Sequence, residues 1–390
     1  MNYVLFDEKQ TKTSLLPLTF TRPICDLRFG ILTIREKWEL VLGSKTSTLT
    51  SEYLSEKYPV IDAEENILIK GSIVPTKEFV EAVKNLKSEE TLVKDEMILA
   101  YRVTKENLSE NESDTDGNLV EFEGDLISLE HIWQLFSELD VNLKFDFQLI
   151  TKGRKSVEIS KTNNVVCKEN IFIEEGAKVE YASLNASDGI IYIGKDAEVM
   201  EGSFIRGPFA LGQHSQLKMG TKIYGATSIG PFCKVGGEVS NSLLIGYSNK
   251  AHDGFLGNSV IGEWCNLGAG TNCSNLKNTY EDVRLWNYYE ESFVSTGLQF
   301  CGLIMGDHSK TGINSMLNTG TVIGVNVNLF GTGFPRNFIP SFSWGGANGF
   351  KIYNLNKAIQ VAERVYARRS LDFNEVEINI LKHIFKYVIR

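Results

Sequence analysis

Apolar residues fall on every sixth position between Ile193 and Val235: Ile193, Val199, Ile205, Leu211, Leu217, Ile223, Ile229 and Val235. Four residues after each of these anchors stands a residue that is mostly small, namely Ala197, Ser203, Phe209, Ser215, Thr221, Thr227, Cys233 and Val239. Glycine follows the anchor directly in Ile193-Gly194, Leu211-Gly212 and Ile229-Gly230. An amphipathic helix repeats near 3.6 residues and a half-buried strand at 2, so this period predicts neither. It predicts a hexapeptide parallel β-helix, in which three hexapeptides make one triangular turn and the anchors point inward and stack. The pattern begins near residues 171–177, breaks at 241–244 and resumes with Ile245, Ala251 and Leu256. It then runs through Ile261, Leu267 and Cys273, pauses across 276–303, returns at Met305, Thr311, Leu317, Ile323 and Leu329, and ends near 331–335. Insertions in a solenoid tend to share one face, often the binding face, so the pause holding Trp286, Tyr288, Tyr289 and Phe293 is expected there.

The patterning before and after the coil is different. Residues 3–6 and 66–70 read as strands, 31–42 has helical spacing, and a second helix is predicted from Thr76, where Thr-Lys-Glu-Phe resembles an N-terminal cap. Residues 106–118, polar and acidic with a single Leu, read as an exposed loop. Residues 355–369 and 374–388 carry apolar positions at helical spacing (Ile359, Ala362, Val365, Tyr366; Val376, Ile380, Ile384, Val388) and are predicted to cover the open end of the coil, protecting its sheet edge. The predicted fold is an α/β domain over 1–155, a left-handed parallel β-helix over 165–335 and a C-terminal helical cap over 350–390.

At 390 residues the chain has length for two to three domains and an ample core. A formal net charge of -9 argues against a general nucleic-acid or anionic-membrane partner. The six cysteines, Cys25, Cys167, Cys233, Cys265, Cys273 and Cys301, include no CxxC pair and read as reduced structural thiols, with no metal site. The N-terminal residues have no basic start and too short an apolar run for a signal peptide, and no stretch approaches a membrane span, so a cytoplasmic location is expected.

His252 lies in a break of the repeat, within Lys250-Ala251-His252-Asp253-Gly254-Phe255. A neutral imidazole suits removal of a proton from an amine attacking a carbonyl carbon, and Asp253 is placed to orient it. The same residues also fit an ordinary loop histidine. The string from Lys250 through Ile261-Gly262-Glu263-Trp264-Cys265-Asn266-Leu267-Gly268-Ala269-Gly270-Thr271 resembles the acetyltransferase half of the bifunctional sugar-1-phosphate acetyltransferase/nucleotidyltransferase family. That resemblance implies His252 as general base, Asn266 and Asn275 as contacts to the sugar phosphate and acetyl group, and Ala269 as a backbone neighbour of acetyl-CoA. It further implies Arg206, with Lys218 or Lys222, as phosphate-binding residues, Lys310 and His308 as candidates for the CoA phosphates, and a homotrimer with acetyl-CoA held between subunits. Phe255 stands where the family has a tyrosine, and Leu276 where bacterial members have another.

Toward the N-terminus, Leu15-Leu16-Pro17-Leu18-Thr19-Phe20-Thr21-Arg22-Pro23 and Leu27-Arg28-Phe29-Gly30 resemble a shortened sugar nucleotidyltransferase domain. Active members wrap a triphosphate in a glycine-rich loop, because only glycine lets backbone N–H groups approach phosphate that closely. Here the matching loop, residues 7–14, contains no glycine, and Gly71-Ser72 stands where the family has a metal-binding Gly-Asp. Lys9, Arg22 and Arg28 are the candidate nucleotide contacts, and Asp7 and Asp125 the candidate Mg²⁺ pair.

Two enzymatic readings follow, with a third that is not enzymatic. The leading one is acetyl-CoA-dependent N-acetyl transfer to a hexosamine-1-phosphate in nucleotide-sugar biosynthesis. The alternatives are nucleotidyl transfer from UTP or dTTP to a sugar-1-phosphate with Mg²⁺, and a non-catalytic sugar-nucleotide-binding protein.

Overall fold

The computed structural model describes residues 2–105 and 118–388; the polar loop expected at 106–118 falls outside these apart from Asn118. Six strands, β1 (Asn2–Phe6), β2 (Ser47–Leu49), β3 (Glu65–Lys70), β4 (Glu90–Lys94), β5 (Met97–Thr104) and β6 (Asn118–Glu121), form a mixed sheet in the order β2-β1-β3-β5-β4-β6. β1 runs parallel to both its neighbours, and β3 is antiparallel to β5. Alternation places Leu5, Ile67 and Ile69 in the main core, and Val4, Phe6, Leu68 and Tyr101 in a smaller cluster on the other side. Helix Ile34–Leu42 starts at a capping box formed by Thr33 and Glu36 and stops at Gly43, whose φ of 68° closes the C-terminus. Helix Lys77–Asn85 is capped by the Thr76 side chain, as its sequence predicts. Helix Leu139–Thr151 is tied to Ile34–Leu42 by a fully buried Lys37–Asp146 ion pair at 2.9 Å and leads into the coil.

The coil has three faces. The first carries six strands, among them Phe204–Arg206, Lys222–Tyr224, Glu238–Ser240 and Phe255–Gly257. The second carries nine, from Ile171–Ile173 to Phe338–Ile339. The third carries ten, among them Gln216–Leu217, Lys234–Val235, Asn249–Lys250, Asn266–Leu267 and Lys310–Thr311. Residues three hexapeptides apart pair in parallel register, as in Ile193↔Leu211 and Leu211↔Ile229. All eight predicted anchors are at most 2% exposed and share one core.

Three expectations about the coil are corrected. After the break, the inward positions are Leu244, Lys250 and Leu256 rather than Ile245, Ala251 and Leu256, because Ile229 pairs with Leu244 and Val235 with Lys250. Ile245 instead faces outward into the core shared with the N-terminal domain. The coil also runs past 335, since Ile323 pairs with Ile339 and Leu329 with Gly345. The strand Gly349–Ile352 then folds back antiparallel on Ser343–Gly346. Finally, the inserted hairpin Arg284–Asn287/Ser292–Ser295 is packing material rather than a binding loop: Trp286 stacks on Phe338 at 4.3 Å and Tyr288 meets Phe20 edge-on.

The C-terminal helices Leu355–Ala367 and Glu375–Val388 lie along the corner between the second and third faces rather than over the end of the coil. That corner carries a column of stacked rings, His214, Phe232, Tyr247 and Trp264, with centroids 4.3 to 4.9 Å apart. Tyr366 stacks on Trp264 at 4.0 Å, and Arg369 donates to the Phe232 carbonyl at 2.9 Å. The N-terminal domain packs on the second face, where Ala210, Leu243, Val260, Ile304 and Val322 join its core. These two attachments leave the first face the most open, with Phe204 and Tyr224 exposed on it and Met219 on the adjoining corner. All six cysteines are free thiols.

Candidate functional site

The corner joining the third face to the first carries His252 in the turn 251–254. His252 and Asp253 are exposed, and the turn's shape comes from its backbone. Gly254 has φ 124°, and a β-carbon there would stand 2.1 Å from the Thr271 carbonyl, so only glycine fits. The Asp253 carbonyl accepts from the Gly270 N–H at 3.0 Å in the next turn, and the Phe255 N–H donates to Asn272 Oδ1 at 2.9 Å. Below, a β-carbon on Gly237 would stand 2.9 Å from the His252 carbonyl. Lys250 Nζ, inside the coil, donates to that same carbonyl at 2.6 Å.

The other predicted contacts divide between two faces. Arg206 and Lys222 lie exposed on the first face, Arg206 paired with Asp188 at 3.2 Å. Lys218 leaves the third face for the corner, and its Nζ donates to Gln216 Oε1 at 3.0 Å. Asn275 donates to Asn258 Oδ1 at 2.8 Å at the far edge of the first face. Phe255 folds back toward it: the ring edge and the Asn275 amide crowd the same point above Gly257, 2.6 and 2.7 Å from where a β-carbon would be. Asn266 is exposed on the third face, Ala269 is half-buried at its corner, and Lys310 follows Asn266 in the strand register. Lys310 Nζ donates to the His308 carbonyl at 2.8 Å, and His308 is buried. A single chain thus gathers Phe255, Asn272 and Asn275 near the His252 turn and holds Asn266, Ala269 and Lys310 around the corner. Asn258, Asn272 and Lys250 were not singled out from the sequence. The signal for Lys250 was its place, six residues after Leu244 and six before Leu256.

In the N-terminal domain two of the three candidate nucleotide contacts, Arg22 and Arg28, are corrected. Arg22 is buried against the coil, pairing with Asp307 and with Glu263 at 3.0 Å. Arg28 is buried too, donating to the Ile245 carbonyl at 3.1 Å and to that of Ile31. Both arginines hold the domain to the coil. Lys9 is exposed and makes no ion pair among the described residues. A cavity of about 540 Å³ does open at the C-terminal ends of β1 and β3, where ligands bind in parallel sheets, lined by Glu8, Lys70, Glu96, Tyr101, Glu130 and His131 among others. Its anion-binding capacity is already engaged. Residues 9–14 form a short helix whose first N–H groups are capped by the Glu8 carboxylate, at 2.7 Å to both Gln10 and Thr11. Lys70 is paired with Glu130 at 3.1 Å. Asp7, the first of the candidate Mg²⁺ pair, is bound to Lys12 at 2.7 Å and accepts from the Ile24 N–H at 2.8 Å. Among the described residues, no three His, Cys, Asp or Glu side chains group as metal ligands.

Residues 3–155 match the sugar nucleotidyl transferase family. A bifunctional sugar-1-phosphate nucleotidylyltransferase/acetyltransferase of Sulfurisphaera tokodaii is 27% identical over 190 residues, 46% of this chain and 44% of that protein. The bifunctional protein GlmU of Picosynechococcus is 27% identical over 169 residues, 43% of this chain and 31% of its own. The chain therefore spans less than half the length of these relatives. An Arabidopsis UDP-N-acetylglucosamine acyltransferase structure overlaps 55% of this chain and 80% of its own at 13% identity, with a TM-score of 0.26 too low to carry an argument. The chain thus resembles the sugar nucleotidyl transferases over residues 3–155 and, over stretches of 169 to 190 residues, part of the bifunctional sugar-1-phosphate nucleotidylyltransferase/acetyltransferase and GlmU proteins.

Proposed function

We propose that this chain transfers an acetyl group from acetyl-CoA to the amine of a hexosamine-1-phosphate, as a cytoplasmic homotrimer. The observation that carries the reading is the His252 turn, locked by backbone contacts to the turns on either side and leaving the imidazole exposed at the corner that leads into Phe255. In this reading the amine nitrogen attacks the thioester carbonyl, the C–N bond forms, and the imidazole of His252 takes the proton. Collapse of the tetrahedral species breaks the C–S bond, and the departing CoA sulfur takes up a proton. Backbone N–H groups of the coil stabilise the oxyanion, so no covalent enzyme intermediate is needed. Arg206 with Lys218 or Lys222 receives the sugar phosphate, Asn266 and Asn275 orient sugar and acetyl group, and Ala269 and Lys310 border the CoA. Because these residues divide between two faces of one triangle, a closed site needs a second copy, and the exposed Phe204, Met219 and Tyr224 supply apolar surface for it. No described helix is long and apolar enough to cross a membrane.

The test is release of CoA thiol from acetyl-CoA with and without glucosamine-1-phosphate. Sugar-dependent release supports the reading, and its absence from a trimeric, folded sample overturns it. Phe255→Tyr is a sharper probe of the acceptor. It adds one hydroxyl at the ring edge facing Asn275, and a recovered hydrogen bond to the sugar phosphate is expected to lower KM for the sugar phosphate by about tenfold at little change in kcat, within the ~1–3 kcal/mol of a bond to a charged group.

The second reading, nucleotide chemistry in the N-terminal domain, is favoured by the family match and by the cavity at β1 and β3. Glu8 weighs against a triphosphate there, since its carboxylate holds the N–H groups a phosphate would need. Titration with UTP and Mg²⁺ is expected to give no saturable binding. Saturable Mg²⁺-dependent binding, with pyrophosphate release on adding N-acetylglucosamine-1-phosphate, would restore nucleotidyl transfer.

A further inference from the structure

The third face of the coil directs Val199, Leu217, Val235, Leu267 and Leu329 into the apolar interior. Lys250 takes the same inward position, pairing with Val235, and is 2% exposed. An ammonium group there is costly unless it is hydrogen-bonded. Burial pulls Lys250 down to about 8, with Asp253 acting in the opposite sense. Packing alone does not ask for it, because methionine has the same reach and would continue the apolar column without that cost. What methionine lacks is a donor. Lys250 Nζ donates to the Gly236 carbonyl at 2.9 Å and to the His252 carbonyl at 2.6 Å. The following carbonyl, that of Asp253, is held from the next turn by the Gly270 N–H. Two consecutive peptides of the turn are thus clamped, one from inside the coil and one from the adjacent turn. The His252 side chain itself makes no hydrogen bond among the described residues, so its direction is set through this backbone.

We propose that Lys250 is a positioning residue: from inside the coil it fixes the turn 251–254, and with it the aim of the His252 imidazole at the acceptor amine. The proposal rests on the acetyl-transfer reading for its chemistry, and on geometry alone for the clamp. A displaced base acts on the transition state and leaves ground-state binding in place, so the effect belongs in kcat.

The experiment compares wild type with Lys250→Met in the full chain, measuring CoA thiol release, thermal unfolding and amide hydrogen exchange. Expected are a ~10- to 100-fold fall in kcat, of the size that a misplacement of about 1 Å produces, unchanged KM for both substrates, and a Tm equal to or above that of wild type. Exchange at Phe255 and Gly270, whose N–H groups are tied to the clamp, should quicken. A variant with wild-type kcat overturns the proposal, as does one whose kcat falls only in step with a lowered Tm. If wild type itself shows no acetyl transfer, the acetyl-transfer reading fails separately, and exchange then decides the clamp: faster exchange confined to the turn upholds it, and unchanged protection overturns it.

Discussion

Replacing His252 with alanine is expected to cut sugar-dependent CoA release by about 10²- to 10⁴-fold, the range that a positioned general base supplies. Circular dichroism, Tm and assembly should not move. The separation is clean because the imidazole is exposed and makes no hydrogen bond among the described residues, whereas the turn beneath it is built from the Gly254 backbone, the Asp253 carbonyl, the Phe255 N–H and Lys250. Removing the ring therefore leaves every contact that shapes the turn. KM for acetyl-CoA and for the sugar phosphate should be close to wild type, since their binding is assigned to other side chains. The measurement is steady-state thiol release with the sugar phosphate present, in which His252→Ala should retain only a slow background. A variant as fast as wild type would remove His252 as the base and leave a different nucleophile-activating group.

The coil was legible because its signal is redundant. Eight anchors in one uninterrupted run state the same period, and each is buried as expected. The same logic failed where the pattern hides a polar residue. At 250 the interior position is filled by lysine, so the neighbouring apolar residues Ile245 and Ala251 imitate the anchors, although Leu244 and Leu256 keep the spacing. The N-terminal helices and strands could be read from caps and alternation, as Thr76 illustrates. How the parts attach to each other could not. An arginine that closes an ion pair across 285 residues of sequence, Arg22 to Asp307, looks in the sequence like a phosphate ligand, since both uses need a guanidinium beside an anion. The insertion with Trp286 and Tyr288 is another case. Aromatic residues in a solenoid loop fit a ligand face and an interdomain seam equally well, and only the stacking on Phe338 and the contact with Phe20 decide for the seam. Likewise, the absence of glycine from residues 7–14 predicted a changed phosphate loop. It could not predict that Glu8 would turn its own carboxylate onto the freed N–H groups.

That seam carries the largest expected loss of stability. Asp307, 2% exposed on the coil, accepts from Thr21 at 2.6 Å, pairs with Arg22 and also receives the Glu263 N–H at 2.8 Å. Asp307→Ala is expected to destabilise the chain by about 3–5 kcal/mol, because it leaves the buried Arg22 guanidinium with the part-exposed Glu263 as its remaining charge partner. Arg22→Ala should lose less than Asp307→Ala: Asp307 would keep its bonds from Thr21 and Glu263. The double variant Arg22→Met/Asp307→Leu should recover much of the loss, since an apolar pair removes both the interaction and the cost of desolvating it. Urea denaturation followed by tryptophan fluorescence measures this, and a double variant no more stable than Asp307→Ala would overturn the account. The seam also fixes the direction of the acid response. Burial alone would raise the Asp307 carboxyl, but the Arg22 charge and hydrogen bonds from Arg22 and Thr21 hold it below the ordinary carboxylate range. Its contribution is therefore present above about pH 4 and lost as pH falls through the lowered value. His308, next in the chain, acts earlier. Burial, then the nearby Lys310 charge, pushes it down to about 3, so it stays neutral in the fold while the unfolded chain protonates near its ordinary 6.5. Between those values the unfolded state binds the extra proton, and stability falls on acidification by up to about 1.4 kcal/mol per pH unit. His308→Phe keeps the ring among Trp264, Tyr366 and Phe373 and removes the titration, so the expected result is a flatter stability profile from pH 6.5 to 4 with the Asp307-dependent loss below it intact.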